Sequence, residues 1–309
     1  MSSLTPSVSS HAGAAALHEL RDLVLRHATE AITEALPGVL LLRADAPTEG
    51  THVVYEPMLC FIVQGAKRIT MGRRVLRYGA ATSLIVTLAM PVVGEVVEAS
   101  TDEPYLAVGF RLDMDSLAEL LLALPPQAAT SDVALEVLPV EPDLLDAAVR
   151  VLRLLDRPAD LPVLGPLVAR ELLYRLLSGP HAPALRGLAQ GRGRSALVAR
   201  AVAWIRQHHD QPLRIAELAR QAALSESAFH RAFKAVTGMS PLQYQKAIRL
   251  QEARRRLLAG GDDAASVGFA VGYGSPSQFS REYARLFGQP PARDAALLRA
   301  ANAAPAAPY

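Results

Sequence analysis

The sequence predicts an α+β chain: an N-terminal module of short antiparallel strands with flanking helices, then an all-α domain carrying two helix-turn-helix units. Three observations predict it. Residues 38–112 alternate short β-branched runs with turn residues. The chain beyond residue 195 carries helical periodicity only. A fourteen-residue segment also occurs twice: SESAFHRAFKAVTG at 225–238 and SPSQFSREYARLFG at 275–288.

The elements follow in order. Residues 1–11 read as a loose tail that lacks the basic and apolar regions of a signal peptide. In AAALHELRDLVLRHATEAITEAL, Leu17, Leu20, Val24, Ala28 and Ala31 recur at helical spacing, predicting one helix that ends before Pro37-Gly38. GVLLLRA, MLCFIVQGAKRITMG, RRVLRYG, TSLIVTLA, VVGEVVEAS and YLAVGFRL then read as strands of an antiparallel barrel or sandwich. The uncharged run Gly79–Gly94 falls short of the roughly 20 residues of a membrane helix and is broken by Pro91, so it reads as two buried strands.

Helical texture returns at MDSLAELLLAL and continues through PDLLDAAVRVLRLLD and VLGPLVARELLYRLLSG. Leu145, Ala148, Val149, Leu152 and Leu155 form one apolar stripe; Leu167, Leu172, Leu173, Leu176 and Leu177 form another. Such stripes are core or, for a helix pair beside a small β module, a dimer interface. Gly and Pro punctuate Ser178–Arg194, which reads as a linker. The expected organisation is therefore an N-terminal module over 1–178, a linker over 179–194, an all-α domain over 195–300 and a disordered tail over 301–309.

The net charge of +2 conceals an asymmetry: from Arg192 onward 17 Lys and Arg face 8 Asp and Glu, while the first 191 residues are acidic overall. A basic half joined to an acidic one suggests a polyanion-binding domain attached to something else. The single cysteine, Cys60, leaves no internal disulfide framework and fits a reducing compartment. On the apolar run MLCFIVQG it reads as a small buried hydrophobe, with a reactive sensing thiol as the minority reading.

The repeat explains the basic half. Ile215, Leu218, Ala219 and Ala222 make one face of a short helix, a turn follows at Ala223-Leu224, and Ser225 stands at an N-cap. In the next helix Ala228, Phe229, Ala232, Phe233 and Val236 face inward; Ser227, His230, Arg231 and Lys234 share the outer face. In the second copy Phe279, Tyr283 and Leu286 face inward and Ser277, Ser280, Arg281 and Arg285 face outward, behind the cap Ser275 and Pro276. The first helices align with a shift of 49 and the second with 50, so the second turn is one residue longer, shaped by Gly272 and Gly274. Pro241–Ala259 reads as the connecting helix; at about 1.5 Å per residue it spans roughly 28 Å. A stacked helical solenoid is the structural alternative, against which the charge and the matched outward arginines stand.

These segments, IAELARQAALSESAFHRAFKAVTGMSPLQY and VGFAVGYGSPSQFSREYARLFGQPP, resemble the AraC/XylS-type transcription regulators. The second departs at Tyr283-Ala284, where many members carry Phe-Lys; the lost lysine removes a phosphate contact rather than the fold. CFIVQGAKRITMG and LAMPVVGEVVEASTDEPYLAVGFRLD resemble the family's N-terminal module. The resemblance implies a cupin-like β-barrel that senses an effector and dimerises. Its one histidine, His52, leaves no His-x-His metal pair, so neither a metal nor a cofactor is expected.

By position, the resemblance places DNA contacts at Ser225, Ser227, His230, Arg231 and Lys234, at Lys246, and at Ser275, Ser277, Gln278, Ser280, Arg281 and Arg285. Arg231 and Arg281 could read guanine through the fork of a guanidinium or hold a phosphate. Lys234, Lys246 and Arg285 suit phosphates, Glu226 suits the helix dipole, and Glu282 points away from DNA. The implied partners are promoter or operator DNA, an unknown small-molecule effector, a second copy of the chain and RNA polymerase, with no membrane and a cytoplasmic location. The alternatives are a cupin-type enzyme fused to a nucleic-acid-binding domain and a constitutive architectural binder.

Overall fold

A computed structural model describes residues 11–72, 74–125, 131–189, 191, 193–260 and 263–303. The chain forms two compact units, the first built from Met1–Thr51 and Tyr55–Ala199 and the second from Arg200–Ala235 and Met239–Tyr309, apart from two three-residue segments. The expected tail at 1–11 lies outside the described residues except for His11, which opens a helix.

Helix α1 (His11–His27) is shorter than the periodicity predicts, because β1 (Ile32–Leu36) follows it. The polar side chain of Thr33 decides this: its Oγ1 accepts from the backbone N–H groups of Thr29 and Glu30, both at 3.1 Å. Local side-chain bonding of this kind competes with helix continuation. β1 then pairs with β2 (Val39–Ala44) across a turn in which Gly38 takes φ +79°.

The strands β3 (Thr51–Tyr55), β4 (Met58–Gln64), β5 (Ala66–Met71), β6 (Arg74–Gly79), β7 (Thr82–Val86), β8 (Met90–Glu98) and β9 (Tyr105–Arg111) precede α2 (Met114–Ala123). A further strand, β10 (Leu135–Pro139), follows α2 and has no counterpart in the sequence reading. They form two sheets, of order β1-β2-β9-β4-β7-β10 and β3-β8-β5-β6. The expected cupin-like closed barrel is therefore not present among the described residues. Closure requires a hydrogen-bonded ladder between the end strands, and here β1 and β10 end one sheet while β3 and β6 end the other. Short alternating strands look the same in a sandwich and in a barrel, so the texture of the sequence could not separate them.

Alternation along the larger sheet sorts its two faces. Leu59, Phe61 and Val63 on β4, with Leu106, Val108 and Phe110 on β9, join the core beneath the helices; the residues between them turn to the smaller sheet. Phe61 and Phe110 meet edge to face at 5.8 Å. That core is completed by α1, by α3 (Pro142–Arg153), by α4 (Leu161–Ser178) and by Leu185 of α5 (Ala182–Ala189). The stripe of α3 is buried, with Leu155 half-buried just beyond it. The stripe of α4 divides: Leu172, Leu173, Leu176 and Leu177 are buried, whereas Leu167 is 61% exposed beside exposed Val163 and Leu164. Within the segment read as a linker lie α5 and the first residues of α6 (Gly193–Gln207).

Beyond Arg200 the described residues of the second unit form helices and their connections: most of α6, then α7 (Ile215–Gln221), α8 (Glu226–Thr237), α9 (Pro241–Ala259), α10 (Ala264–Ala270), α11 (Pro276–Phe287) and α12 (Pro291–Ala303). The start of α9 is set by a capping box, in which Ser240 Oγ accepts from Gln243 N–H and Gln243 Oε1 accepts from Ser240 N–H. Residues 304–309, part of the expected disordered tail, lie outside the described residues.

Candidate nucleic-acid interface

The two halves of the repeat share a turn down to individual hydrogen bonds. After α7, Ala223 N–H donates to Arg220 O at 3.0 Å and Leu224 N–H donates to Ala219 O at 2.9 Å. After α10, Gly272 N–H donates to Phe269 O at 2.9 Å and Tyr273 N–H donates to Gly268 O at 3.0 Å. Each pair is a Schellman closure, with the residue past the helix end in the left-handed region. That residue is Ala223 at φ 53° in the first copy and Gly272 at φ 89° in the second. Four residues join α7 to α8 and five join α10 to α11, so the extra residue of the second turn is seen as such.

Within each copy the helices pack on aromatic contacts, of which Phe229–Phe233 and Phe279–Tyr283 occupy matching positions. Phe229 and Phe233 lie 5.8 Å apart, and Phe233 meets Tyr244 at 5.7 Å. In the second copy Phe279 contacts Tyr273 at 5.4 Å and Tyr283 at 5.6 Å. A Cβ on Gly268 would stand 2.9 Å from the Phe279 ring, so the second copy packs its first helix closer than an alanine allows. Leu250, Ala253 and Leu257 on α9 close the core around α10 and α11.

The fixed inner faces leave the outer ones to solvent. Ser227, His230, Arg231 and Lys234 are all exposed on α8. Ser225 precedes them and caps the helix, its Oγ accepting from Ala228 N–H at 3.3 Å. On α11, Ser277, Arg281 and Arg285 are exposed and Ser280 is partly buried. Ser275 stands at the N-cap of α11 without a side-chain bond to the helix, so its hydroxyl is not used there. Exposed Glu226 lies in the first turn of α8, where a carboxylate complements the helix dipole.

Two expected contact residues, partly exposed Lys246 and exposed Gln278, are tied to a carboxylate of the same unit. Lys246 Nζ donates to Glu282 Oε1 at 2.9 Å, and Gln278 Nε2 reaches the same oxygen at 3.3 Å. Tyr273 Oη donates to Glu282 Oε2 at 3.0 Å. Burial raises the Glu282 carboxyl, but these donors more than offset it and hold the pKa below the usual range. Glu282 thus gathers side chains from α9, the turn and α11 around one charge, which the spacing of the sequence does not reveal.

Sequence reasoning also missed the residues that fix the unit internally. Arg249 of α9 donates from Nη1 to Gly272 O and from Nη2 to Gln211 O, both at 2.9 Å, and from Nε to His209 O. Gln245 donates to His209 O and Gln211 O. The loop between α6 and α7 and the second turn are so tied to the same connecting helix. Further along α9, Arg254 forks onto Asp294 of α12 at 2.9 and 3.1 Å, and Tyr283 Oη donates to Asp294 Oδ2 at 2.8 Å.

Residues 35–184 match the family described as the AraC-type transcriptional regulator N-terminus, and residues 218–295 match a helix-turn-helix domain. An AraC-like transcription regulator of Streptomyces lividans is 35% identical over 127 residues, covering 40% of each chain. The HTH-type transcriptional activator RhaS of Pectobacterium atrosepticum is 33% identical over 88 residues, covering 28% of this chain and 32% of its own. This chain thus spans well under half the length of these relatives. The fold resembles that of fatty-acid-bound ToxT from Vibrio cholerae, with a TM-score of 0.54 and 10% identity over 84% of this chain and 93% of that one.

Proposed function

We infer that the chain is an AraC-family regulator of transcription, a helix-turn-helix protein that binds promoter or operator DNA sequence-specifically under the control of a small-molecule effector. The observation that carries this reading is the pair of matched turns, each presenting an exposed helix face with different side chains, on one connecting helix. A helix in such a turn enters the major groove by its outer face. Unlike faces, Ser227-His230-Arg231 and Ser277-Ser280-Arg281, imply two unlike half-sites and so an asymmetric operator for each subunit. With α9 spanning roughly 28 Å, the two helices suit neighbouring grooves about 34 Å apart on DNA bent toward the protein.

Selection from a random duplex pool with the full chain should enrich a bipartite site whose halves lie about ten base pairs apart. On that site, Arg231→Ala and Arg281→Ala should each lower affinity by about 1–3 kcal/mol and relax preference at one base pair. Uniform weakening across all sequences would assign that arginine to phosphate instead. Absence of any enriched site would end the reading.

Lys246 joins the phosphate surface only if Glu282 releases it. Glu282→Gln should therefore strengthen binding to random duplex and steepen its salt dependence by about one unit of log–log slope. Titrations of the variant from low to high salt provide the check, and an unchanged slope would show that Lys246 does not face the DNA.

The N-terminal unit takes the sensing role in this reading. The transcription-regulator names of the relatives support a regulator over an enzyme. Ser83 Oγ lies 2.8 Å from His181 Nε2, but the same hydroxyl reaches Leu138 O at 3.3 Å. His181 Nδ1, 3.5 Å from Glu136, has no hydrogen-bond partner among the described residues, so the three do not make a hydrogen-bonded Ser–His–carboxylate triad. Cys60 is buried, and burial pushes its thiol up to about 11, which leaves little thiolate for a reactive sensor. The exposed apolar side chains Val163, Leu164 and Leu167 on α4 support a homodimer. RNA polymerase is the further partner of a promoter-bound protein, and that role places it in the cytoplasm with its DNA. No helix of the described residues is long and apolar enough to cross a membrane.

A further inference from the structure

The interior between the two sheets holds a polar cluster that DNA binding does not use. Lys67 on β5 is in register with Tyr78 on β6 and with Val96 on β8, so the three share one face of the smaller sheet. The adjacent Arg68 turns to the opposite face and pairs with Glu95. Lys67 has no carboxylate within ion-pair distance among the described residues. Its ammonium instead lies 5.4 Å from the centre of the Tyr55 ring and 6.0 Å from that of Tyr105, which comes from the other sheet. A half-buried cation held by aromatic rings keeps its charge uncompensated.

Tyr105 supplies the second, independent observation. It is 1% exposed, and its hydroxyl is buried without a hydrogen-bond partner among the described residues. Leaving a buried hydroxyl unpaired is costly, so such groups call for an explanation. Burial first, then the nearby Cys60 and Tyr55, push this hydroxyl well above its usual range. Burial first, then Tyr55, Tyr105 and Cys60, do so for Tyr78. Both therefore remain protonated donors at neutral pH.

We propose that Lys67, Tyr105 and the rings of Tyr55 and Tyr78 form the charged end of the effector site, and that the effector is a small monocarboxylate with an apolar body. The ammonium balances one negative charge, the Tyr105 hydroxyl donates to a carboxylate oxygen, and the ring faces cover the carbon skeleton. A phosphate dianion would leave one of its two charges unbalanced by the single ammonium, at a high cost in a buried site. This assignment rests on the regulator reading above and deepens it by naming the class of effector.

The test uses the full chain with acetate, hexanoate, benzoate and cinnamate at matched ionic strength, each against its neutral amide, read by calorimetric titration and melting temperature. At least one of the larger carboxylates should bind, and its amide should bind at least roughly tenfold more weakly. Lys67→Met should weaken that carboxylate by a similar factor. Tyr105→Phe should raise the melting temperature of the ligand-free protein while weakening carboxylate affinity several-fold; a merely structural tyrosine would not lower the affinity. Binding unchanged by both substitutions, or no carboxylate preferred over its amide, overturns the proposal. DNA selection run on the same preparation separates the two readings. If the operator is bound while the carboxylates fail, only the effector class falls; if no DNA is selected, the regulator reading falls.

Discussion

Replacing Asp294 with alanine should destabilise the C-terminal unit by about 3–5 kcal/mol. Arg254 and Asp294 are 18% and 7% exposed in their side chains, so little water is available to replace the lost partner. The substitution strands a largely buried guanidinium, which otherwise packs on Phe287 at 4.5 Å, and removes the acceptor of the Tyr283 hydroxyl. Trp204, the single tryptophan, belongs to this unit and is partly buried, so its fluorescence reports the unfolding. The urea midpoint should fall by at least about 1 M. The triple variant Arg254→Met, Tyr283→Phe, Asp294→Leu should recover most of the loss, because it removes the buried charges together. A midpoint that Asp294→Ala leaves in place would mean that α12 is held by its apolar contacts alone.

Gly272→Ala should cost the same unit about 3 kcal/mol, from a left-handed backbone without glycine and from overpacking. A Cβ there would stand 2.1 Å from the carbonyl oxygen of Asp210, a backbone atom that Arg249 and Gln245 help to immobilise through its neighbours His209 and Gln211. The first copy provides the internal control. Ala223 holds the matching position at φ 53°, so Ala223→Gly should stabilise by about 0.5–1 kcal/mol once the greater freedom of the unfolded chain is deducted. Both variants are read by the same urea titration. A loss of stability on Ala223→Gly, or none on Gly272→Ala, would mean that the left-handed backbone does not set the residue preferred at this position of the turn.

The two faces of α8 and α11 were legible because helical periodicity is local. Phe229, Ala232 and Phe233 are buried while Ser227, His230, Arg231 and Lys234 are exposed, as spacing along one helix requires. The same holds for Phe279 and Tyr283 against Ser277, Arg281 and Arg285. Periodicity misled at residues 28–36, where alanines and one isoleucine mimic a helix but Thr33 bonds the preceding backbone and β2 supplies a strand partner. The resemblance carried the barrel too far for a related reason. Whether a set of strands closes depends on which edges meet, and β10 joins its sheet from beyond α2.

The sequence by itself determined that the second half is two copies of one helical solution, with matched cores, unlike outer faces and an extra residue in the second turn. Those properties follow from side chains a few residues apart and from backbone conformations that individual residues favour or forbid. Only the tertiary structure decided that the strands form two open sheets and that Lys246 belongs to Glu282, 36 residues away. It alone decided that Arg249 and Arg254 face inward, and that Lys67 and Tyr105 meet between sheets. Each of these depends on desolvating a polar group against a partner distant in the chain, and the energy of such a contact has no imprint on local spacing.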